Sequence, residues 1–438
     1  MTRQIDQSVT LELSQLHTSA SDPWMDSMRV LSETGFRYPK ALSFASGRPY
    51  EGFFEVAKLH RYLDRHVAEM RDKGVPEDRI TKSIFQYGPT GGVIRDAVAR
   101  NLALDENIHV KPEDILVTHG CQEAMAVALR GLFARDDDVL LTISPCYIGI
   151  AGAARTLGIA LEPVPEGPDG LDPEAVAEAA RAVRATGRRP VACYVTADFS
   201  NPSGCSMPLA ARRRLLEVAG EEDLLILEDN PYGLFGRAGE EIPTLKALDS
   251  QCRVLYLGSF AKTAFPGARV GYLVADQPVT DAHGASRPLA ERLSTIKSMF
   301  SVNTSGVAQA IVGGLLAEAG YSLREANREL SDLYVRHLDV TLECLAEHFP
   351  PDRADEHQVR WNVPGGGFFL LVHVPFRADL AALERSARDY GVGWAPMSMF
   401  YLGEGGTNTI RLGFSSLAED EIREGVRRLA RFIRETRD

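Results

Sequence analysis

The chain has 438 residues, of which 45% are hydrophobic, so it is long enough to bury a sizeable core. Its net charge is −12 and its acidic and basic residues are interspersed, which argues against a nucleic-acid or membrane surface as the main partner. A chain of this length corresponds to about three domains of roughly 150 residues. The motifs described below run continuously, however, so we expect one large domain and one smaller domain.

In chain order, residues 1–54 contain few periodic elements apart from a short helix predicted at DPWMDSMRVLSE. We expect them to form an N-terminal arm and part of the small domain. Between residues 55 and 318, apolar runs predicted as strands alternate with predicted helices such as PEAVAEAARAVRA and LAARRRLLEVAG. This alternation predicts an α/β fold with a mostly parallel sheet sandwiched by helices. The periodic stretch LREANRELSDLYVRHLDVTLECLAEHF predicts a helix that links to a smaller α/β domain at 319–438.

Two of the predicted strands end in polar residues. LLILE is followed by Asp229 and Tyr232, and VLYLGSF contains Ser259 and is followed by Lys262. Ligands of open α/β sheets bind outside the carboxyl ends of the strands. Pyridoxal phosphate (PLP) needs a lysine for a Schiff base and a carboxylate that keeps its ring nitrogen protonated. A solvated lysine or an aspartate N-cap would explain either residue alone, but the pair predicts a PLP site.

A phosphate-binding end can be predicted from other residues. ILVTH is a predicted strand, Gly120 and Cys121 form a tight turn, and QEAMAVALRGLF is an amphipathic helix. The backbone N–H groups of Cys121 and Gln122 would then open the helix toward the crevice, where they can bind an anion. Arg269 adds a planar, permanently charged group suited to phosphate oxygens. A strand, glycine and helix are common in α/β proteins, so the prediction depends on these elements occurring together.

These motifs resemble those of fold type I PLP-dependent enzymes of the class I/II aminotransferase family, and in style those of its kynurenine/aminoadipate aminotransferase-like subgroup. The resemblance runs from about Phe44 to the C-terminus. It implies the PLP-dependent transferase fold, PLP as the cofactor, an amino acid and a 2-oxo acid as substrates, and a homodimer with shared active sites. Lys262 in SFAK matches the Schiff-base lysine, and Asp229 in EDNPY matches the carboxylate at the ring nitrogen. The other matches are Tyr232 and Asn201 at the ring hydroxyl, Ser259 and Arg269 at the phosphate, Tyr147 stacked on the ring, and Tyr87 reaching the phosphate of the neighbouring subunit.

The resemblance also implies the substrate-binding residues. Arg411 in NTIRLGF matches the arginine that binds the substrate α-carboxylate, with Asn201 near the same group. FASGRPYEGFF resembles the segment that closes over the substrate, with Gly47 at the backbone position that approaches it. Arg48 either recognises a distal anionic group of the substrate or is simply an exposed arginine.

Some residues depart from the family pattern. Ala261 replaces a common serine before the lysine, Phe368 replaces a common methionine, and Met397 replaces the usual glycine. We expect Phe368 and Met397 to add bulk on the substrate side, which leaves the substrate and the reaction type open. The alternative is a PLP-dependent enzyme that eliminates or replaces a group at the β or γ carbon. A regulator that fuses this fold to a DNA-binding winged helix is disfavoured, since no basic recognition helix precedes the motifs.

Six cysteines in a chain of this length do not suggest a disulfide framework. Cys146, Cys193 and Cys344 lie in apolar segments and are predicted to be buried free thiols in a reducing compartment. Cys121 stands where the family usually has a small hydroxyl residue, and we expect it to bind phosphate through its backbone, with a reactive thiol as the alternative. We expect no metal site. The start MTRQIDQSVT lacks signal-peptide features and no apolar run approaches roughly 20 residues, so we expect a cytoplasmic protein.

Overall fold

The computed structural model describes residues 9–25, 33 and 37–436. The helix predicted at DPWMDSMRVLSE lies largely outside the described residues, and only its first residues are seen, in a 3-10 turn. The short turns that precede the first strand are Leu13–Gln15, Thr18–Ala20, Pro23–Met25.

Sixteen strands form within the described part of the chain. They are β1 (Leu42–Ser43), β2 (Ile115–Thr118), β3 (Asp138–Ser144), β4 (Ala160–Gly167), β5 (Gly170–Leu171), β6 (Arg189–Val195), β7 (Leu225–Asp229), β8 (Val254–Ser259), β9 (Gly271–Val274), β10 (Pro278–Thr280), β11 (Ser286–Pro288), β12 (Arg360–Trp361), β13 (Phe369–His373), β14 (Val392–Gly393), β15 (Ala395–Pro396) and β16 (Thr409–Gly413).

The helices flank these strands. They are α1 (Val56–Asp72), α2 (Glu77–Phe85), α3 (Arg95–Asp105), α4 (Cys121–Leu132), α5 (Ile148–Thr156), α6 (Pro173–Ala185), α7 (Leu209–Glu221), α8 (Leu245–Leu248), α9 (Leu289–Ser301), α10 (Gly306–Glu318), α11 (Leu323–Ala326), α12 (Arg328–His348), α13 (Ala354–His357), α14 (Leu380–Arg385) and α15 (Glu419–Glu435).

An eight-stranded sheet forms the centre of the larger part of the molecule, in the order β2-β9-β8-β7-β6-β3-β4-β5. The strands from β8 to β4 run parallel, and antiparallel pairs lie at both ends of the sheet. The predicted mostly parallel α/β fold is therefore confirmed. In this order β7 and β8 are neighbours, so the predicted cofactor residues at their carboxyl ends lie at one edge of the sheet.

Both faces of the central sheet are buried, because alternate side chains of each strand contact different layers of helices. Tyr194 and Leu227 belong to the apolar cluster under α4, α5 and α9, whereas Cys193 and Ile226 belong to the cluster under α6 and α7. Sandwiching between helices explains why these strands appear in the sequence as continuous apolar runs rather than as alternating patterns.

A smaller antiparallel sheet, in the order β12-β13-β16-β15, forms a second core with α12 and α15. Strand β1 pairs in parallel with β14, which ties the segment after the N-terminal region to this C-terminal part. The predicted limits of the arm, the large domain and the small domain remain a prediction.

The single helix predicted across residues 323–349 was wrong in one respect, because the structure has two helices, α11 and α12, separated at Asn327. The Asn327 amide donates to the Leu323 carbonyl at 2.9 Å and to the Thr263 carbonyl at 3.1 Å. A side chain that bonds to backbone carbonyls competes with regular helical bonding. The break therefore fixes the start of α12 to the turn that carries Lys262.

The structure also bears on the cysteines, on membrane-spanning helices and on metal sites. Cys146, Cys193 and Cys344 are buried and all six cysteines are free, as predicted. Within the described residues, no helix is both long and apolar enough to cross a membrane. The same residues contain no group of three or more His, Cys, Asp or Glu side chains arranged to hold a metal ion.

Candidate active site

A cavity of about 330 Å³ opens at the carboxyl ends of β7 and β8. Every site residue predicted from the sequence lines it except Tyr87, which lies in the loop after α2 and is 84% exposed. The predicted residues in the cavity are Gly47, Arg48, Cys121, Gln122, Tyr147, Asn201, Asp229, Tyr232, Ser259, Lys262, Arg269, Arg411.

Asp229 is the last residue of β7 and is only 4% exposed. Its Oδ2 accepts a hydrogen bond from the Tyr194 hydroxyl at 2.6 Å, and its Oδ1 accepts one from the Cys121 thiol at 3.6 Å. Burial raises the pKa of Asp229, and because these two hydrogen bonds and the charge of Lys262 offset part of the effect, the resulting pKa is about 6. The carboxyl is therefore mostly ionised at neutral pH, as a partner for a protonated ring nitrogen must be.

Lys262 lies in the turn after β8, and its Nζ donates to the Gly47 carbonyl at 2.7 Å. Burial and, to a smaller extent, the positive charge of Arg411 together lower the pKa of Lys262 to about 8. Arg269 and Arg48 act in the same direction. An appreciable fraction of this lysine is therefore uncharged near neutral pH, which a nucleophile or a general base requires.

The phosphate-binding end is built on Gly120, whose φ of +74° suits glycine. Helix α4 begins at the next residue. Because its N-cap residue is Gly120, no N-cap side chain bonds to the first N–H groups of the helix, and these groups can bind an anion. The Arg269 guanidinium lies directly over Gly120, where a β-carbon would collide with it. A β-carbon on Gly271 would lie 2.6 Å from the Cys121 nitrogen, so glycine here allows β9 to approach the start of the helix.

The opposite end of the cavity contains the buried guanidinium of Arg411, on β16. Its Nη1 donates to Asn201 Oδ1 and its Nη2 to the Ala45 carbonyl, both at 2.6 Å, whereas Nε has no hydrogen-bond partner. The guanidinium carbon lies 4.2 Å from the ring centre of Phe369 and 4.7 Å from that of Phe400. Burial lowers the pKa of Arg411 to about 10. A buried cation of this kind fits the carboxylate of a ligand.

Aromatic and amide side chains lie between these two ends. Tyr147 precedes α5 and is partly buried, and Tyr232 is almost fully buried. Burial raises the pKa of both phenols, which keeps them protonated near neutral pH. Asn201 Oδ1 accepts a hydrogen bond from Arg411, and the Asn201 side chain also lies near enough to Tyr232 to lower the pKa of that phenol slightly against the larger effect of burial. A flat ring with an anionic tail and a polar substituent fits this set of side chains.

The structure also extends the predicted site. Phe368 and Met397 are buried and do not line the cavity, but Phe368 packs against Tyr232 and Met397 packs with Phe400, so the expectation that they add bulk near the substrate side stays a prediction. The aromatic rings at that side are Phe369 and Phe400. Sequence reasoning missed both, and it also missed Tyr194, because an aromatic residue inside an apolar run carries no signal that separates a cavity wall from core.

The fold and this cavity define a PLP-dependent transferase. Residues 59–429 match the family described as aminotransferase class I and II, and the chain belongs to that family. It is 47% identical to (S)-3,5-dihydroxyphenylglycine transaminase of Amycolatopsis orientalis, over 97% of this chain and 95% of that protein. It is 30% identical to aromatic-amino-acid aminotransferase 1 of Thermococcus litoralis, over 90% of this chain and 88% of that protein.

A solved structure supports the same assignment. Kynurenine aminotransferase of Pyrococcus horikoshii, solved in complex with PMP, superimposes with a TM-score of 0.78 at 28% identity and covers 93% of this chain and 94% of its own. The protein is therefore a PLP-dependent aminotransferase that acts on an amino acid and a 2-oxo acid.

Proposed function

We propose that the preferred amino acid carries an aromatic side chain, of the kind found in an arylglycine. The observation that carries this proposal is the setting of Arg411, whose guanidinium lines the cavity together with the rings of Phe369 and Phe400, so that a substrate held by its carboxylate lies beside these rings. Aromatic rings favour the edge or face of another ring. The 47% identity to a dihydroxyphenylglycine transaminase supports the same substrate class.

The competing candidate is an amino acid with a second carboxylate, because Arg48 lines the cavity as well. The two candidates predict different effects of removing the positive charge of Arg48. If Arg48 binds a distal carboxylate, Arg48→Ala raises KM for acidic amino acids only. If the substrate is aromatic, the wild-type enzyme prefers aromatic substrates and the variant keeps that preference.

The test is a panel of amino acids assayed with one common 2-oxo acid. We expect kcat/KM for 3,5-dihydroxyphenylglycine and phenylalanine to exceed that for glutamate and 2-aminoadipate by at least roughly tenfold, as one well-filled apolar pocket can achieve. A preference for the acidic substrates that disappears in Arg48→Ala would overturn the proposal.

We assign the following roles to residues of the cavity. Bound PLP supplies an electron sink for the bonds of the substrate α-carbon. Lys262 holds the cofactor and moves the proton at that carbon, and Asp229 keeps the ring nitrogen protonated. Arg411 orients the α-carboxylate, so that the α-hydrogen faces the lysine.

Further residues would hold the cofactor itself. The N–H groups at the start of α4 and the side chains of Ser259 and Arg269 would bind the phosphate. Tyr147 would stack on the ring, and Tyr232 and Asn201 would contact its hydroxyl. The same residues would serve a β- or γ-elimination enzyme. Incubation with an amino acid and no 2-oxo acid separates the two reactions, since transamination stops after one equivalent whereas elimination continues to release a leaving group or ammonia.

We also propose a cytoplasmic homodimer with no nucleic-acid or membrane partner. The six free cysteines support a reducing compartment, and the net charge of −12 disfavours anionic polymers. Exposed apolar side chains near Tyr87 support the dimer. A molar mass in solution near that of a single chain would contradict this assignment.

A further inference from the structure

Tyr194 approaches the cofactor-binding carboxylate from behind the cavity. It lies on β6, next to β7, is fully buried, and does not line the cavity. Its hydroxyl donates to Asp229 Oδ2 at 2.6 Å. A short hydrogen bond to a buried carboxylate is among the strong ones.

The other carboxylate oxygen has a weaker partner. The Cys121 thiol donates to Asp229 Oδ1 at 3.6 Å, and thiols are weak donors. Cys121 and Asp229 both line the cavity, so a ring nitrogen can reach this side of the carboxylate without disturbing Tyr194. The two oxygens therefore differ, and only one of them is firmly held by the protein.

A third residue interacts with the same phenol. Thr196, two residues after Tyr194, lowers the pKa of the Tyr194 phenol, but burial outweighs this effect. Burial raises the pKa of Tyr194 well above its usual value, so the phenol remains a donor throughout the working range of pH.

We propose that Tyr194 is a positioning residue that holds Asp229 ionised and directs its Oδ1 toward the ring nitrogen of PLP. This inference rests on the proposed role of Asp229 and adds Tyr194, which is buried behind the cavity, as its hydrogen-bond partner. Because a buried carboxylate without a donor takes up a proton more readily, loss of the Tyr194 hydroxyl should raise the pH below which the site loses its affinity for PLP.

Several titratable or charged groups face Asp229, and their contributions must be separated from that of Tyr194. The group on β6 is Tyr194, the one on α4 is Cys121, and the others are Lys262, Tyr147, Tyr232. A substitution at Tyr194 leaves all the others in place, so a shift between the wild-type protein and the variant reports on this one hydrogen bond.

The test compares Tyr194→Phe with the wild-type protein and with Tyr256→Phe, which removes another buried phenol from strand β8, on the other side of β7. Apo-protein is titrated with PLP by equilibrium dialysis at a series of pH values. We expect the wild-type affinity to weaken below about pH 6. In Tyr194→Phe, the pH at which the affinity for PLP begins to weaken should be higher by roughly one unit. Between these two pH values, the affinity of the variant should be up to about tenfold weaker than that of the wild-type protein.

The pH profiles of PLP affinity distinguish a positioning role of Tyr194 from a purely structural one. Profiles of Tyr194→Phe and wild-type protein that superimpose would overturn the proposal, and so would an affinity lowered equally at every pH, which indicates a purely structural role. Tyr256→Phe should follow the wild-type profile. Asp229→Asn tests the underlying assumption separately, because wild-type affinity and pH dependence in that variant would show that Asp229 itself does not bind the ring.

Discussion

At the scale of single residues, the guanidinium of Arg411 has two effects on the cavity. It lines the cavity, where it can bind a substrate carboxylate, and its positive charge lowers the pKa of Lys262. The same cation can therefore bind the substrate and keep part of the lysine uncharged before the substrate arrives. When a carboxylate neutralises Arg411, this effect on the lysine weakens.

We predict that Arg411→Met slows the binding of PLP to the apo-protein near neutral pH. Without the positive neighbour the pKa of Lys262 rises above about 8, so a smaller fraction of the lysine is uncharged at a given pH. A rise of half a unit to one unit makes the rate roughly three- to tenfold lower at neutral pH. The rate of PLP association is measured by absorbance at a series of pH values. The pH at which this rate is half of its maximum, here called the midpoint, reports the pKa of Lys262.

The control for this variant is Arg360→Met, which removes an exposed arginine that pairs with Asp355 far from Lys262. Its midpoint should equal that of the wild-type protein. An Arg411→Met midpoint at or below the wild-type value would contradict the electrostatic explanation, even if substrate binding is lost.

At the scale of elements, the turn between β2 and α4 brings a positive-φ glycine, a helix N-terminus and Arg269 to one point. Each contributes to anion binding in a different way: the turn exposes N–H groups, the helix dipole favours negative charge, and the guanidinium supplies a full charge. The glycine permits this arrangement because a side chain would occupy the space of Arg269.

We predict that Gly120→Ala weakens PLP binding far more than it lowers stability. With φ +74° and ψ 167°, Gly120 occupies a backbone region that is nearly restricted to glycine, where a β-carbon costs about 1–3 kcal/mol, and the new methyl group also displaces Arg269. Gly284→Ala is a matched control, since its φ is +81° but no atom lies within 4 Å of the added carbon. The two variants should lose similar unfolding free energy in urea, whereas only Gly120→Ala should lose cofactor affinity. Equal PLP affinity in both variants would show that Arg269 does not bind the phosphate.

The elements that carry the chemistry could be predicted from the sequence because their signals are local. Apolar runs that end in Asp229 and Ser259 became β7 and β8, and a glycine before an amphipathic segment became the start of α4. The break at Asn327 could not be predicted, because it depends on a bond to a carbonyl 64 residues away. Tyr194 and Phe400 were missed for the same reason, since only the packing of distant segments shows which aromatic residues reach the site.

At the scale of the whole molecule, an exposed apolar surface surrounds Tyr87. Phe85 and Met299 are 77% and 82% exposed, and Gly306 lies against the backbone of Ser83, which brings the segment after α9 beside α2. Apolar side chains exposed close together are candidates for a protein–protein contact. In the homodimer that we propose, a second copy of the chain covers this surface, and Tyr87 reaches the partner subunit's phosphate site, as the family resemblance implies.

We predict that two inactive variants restore activity when they share a dimer. Lys262→Ala removes the lysine of its own site, and Tyr87→Ala removes a side chain that we propose serves the partner's site. In a hybrid dimer, the Tyr87→Ala subunit keeps its lysine and receives Tyr87 from its partner, so one site is intact. Random pairing of equal amounts then restores about a quarter of the wild-type activity. Co-expression with two affinity tags isolates the hybrids, in which one of the two sites is intact, so their activity should be about half of the wild-type value. The control pair, Lys262→Ala with Asp229→Ala, changes each chain's own site and should stay inactive. Equal activity in the two pairs, or none in either, would mean that Tyr87 does not cross between subunits.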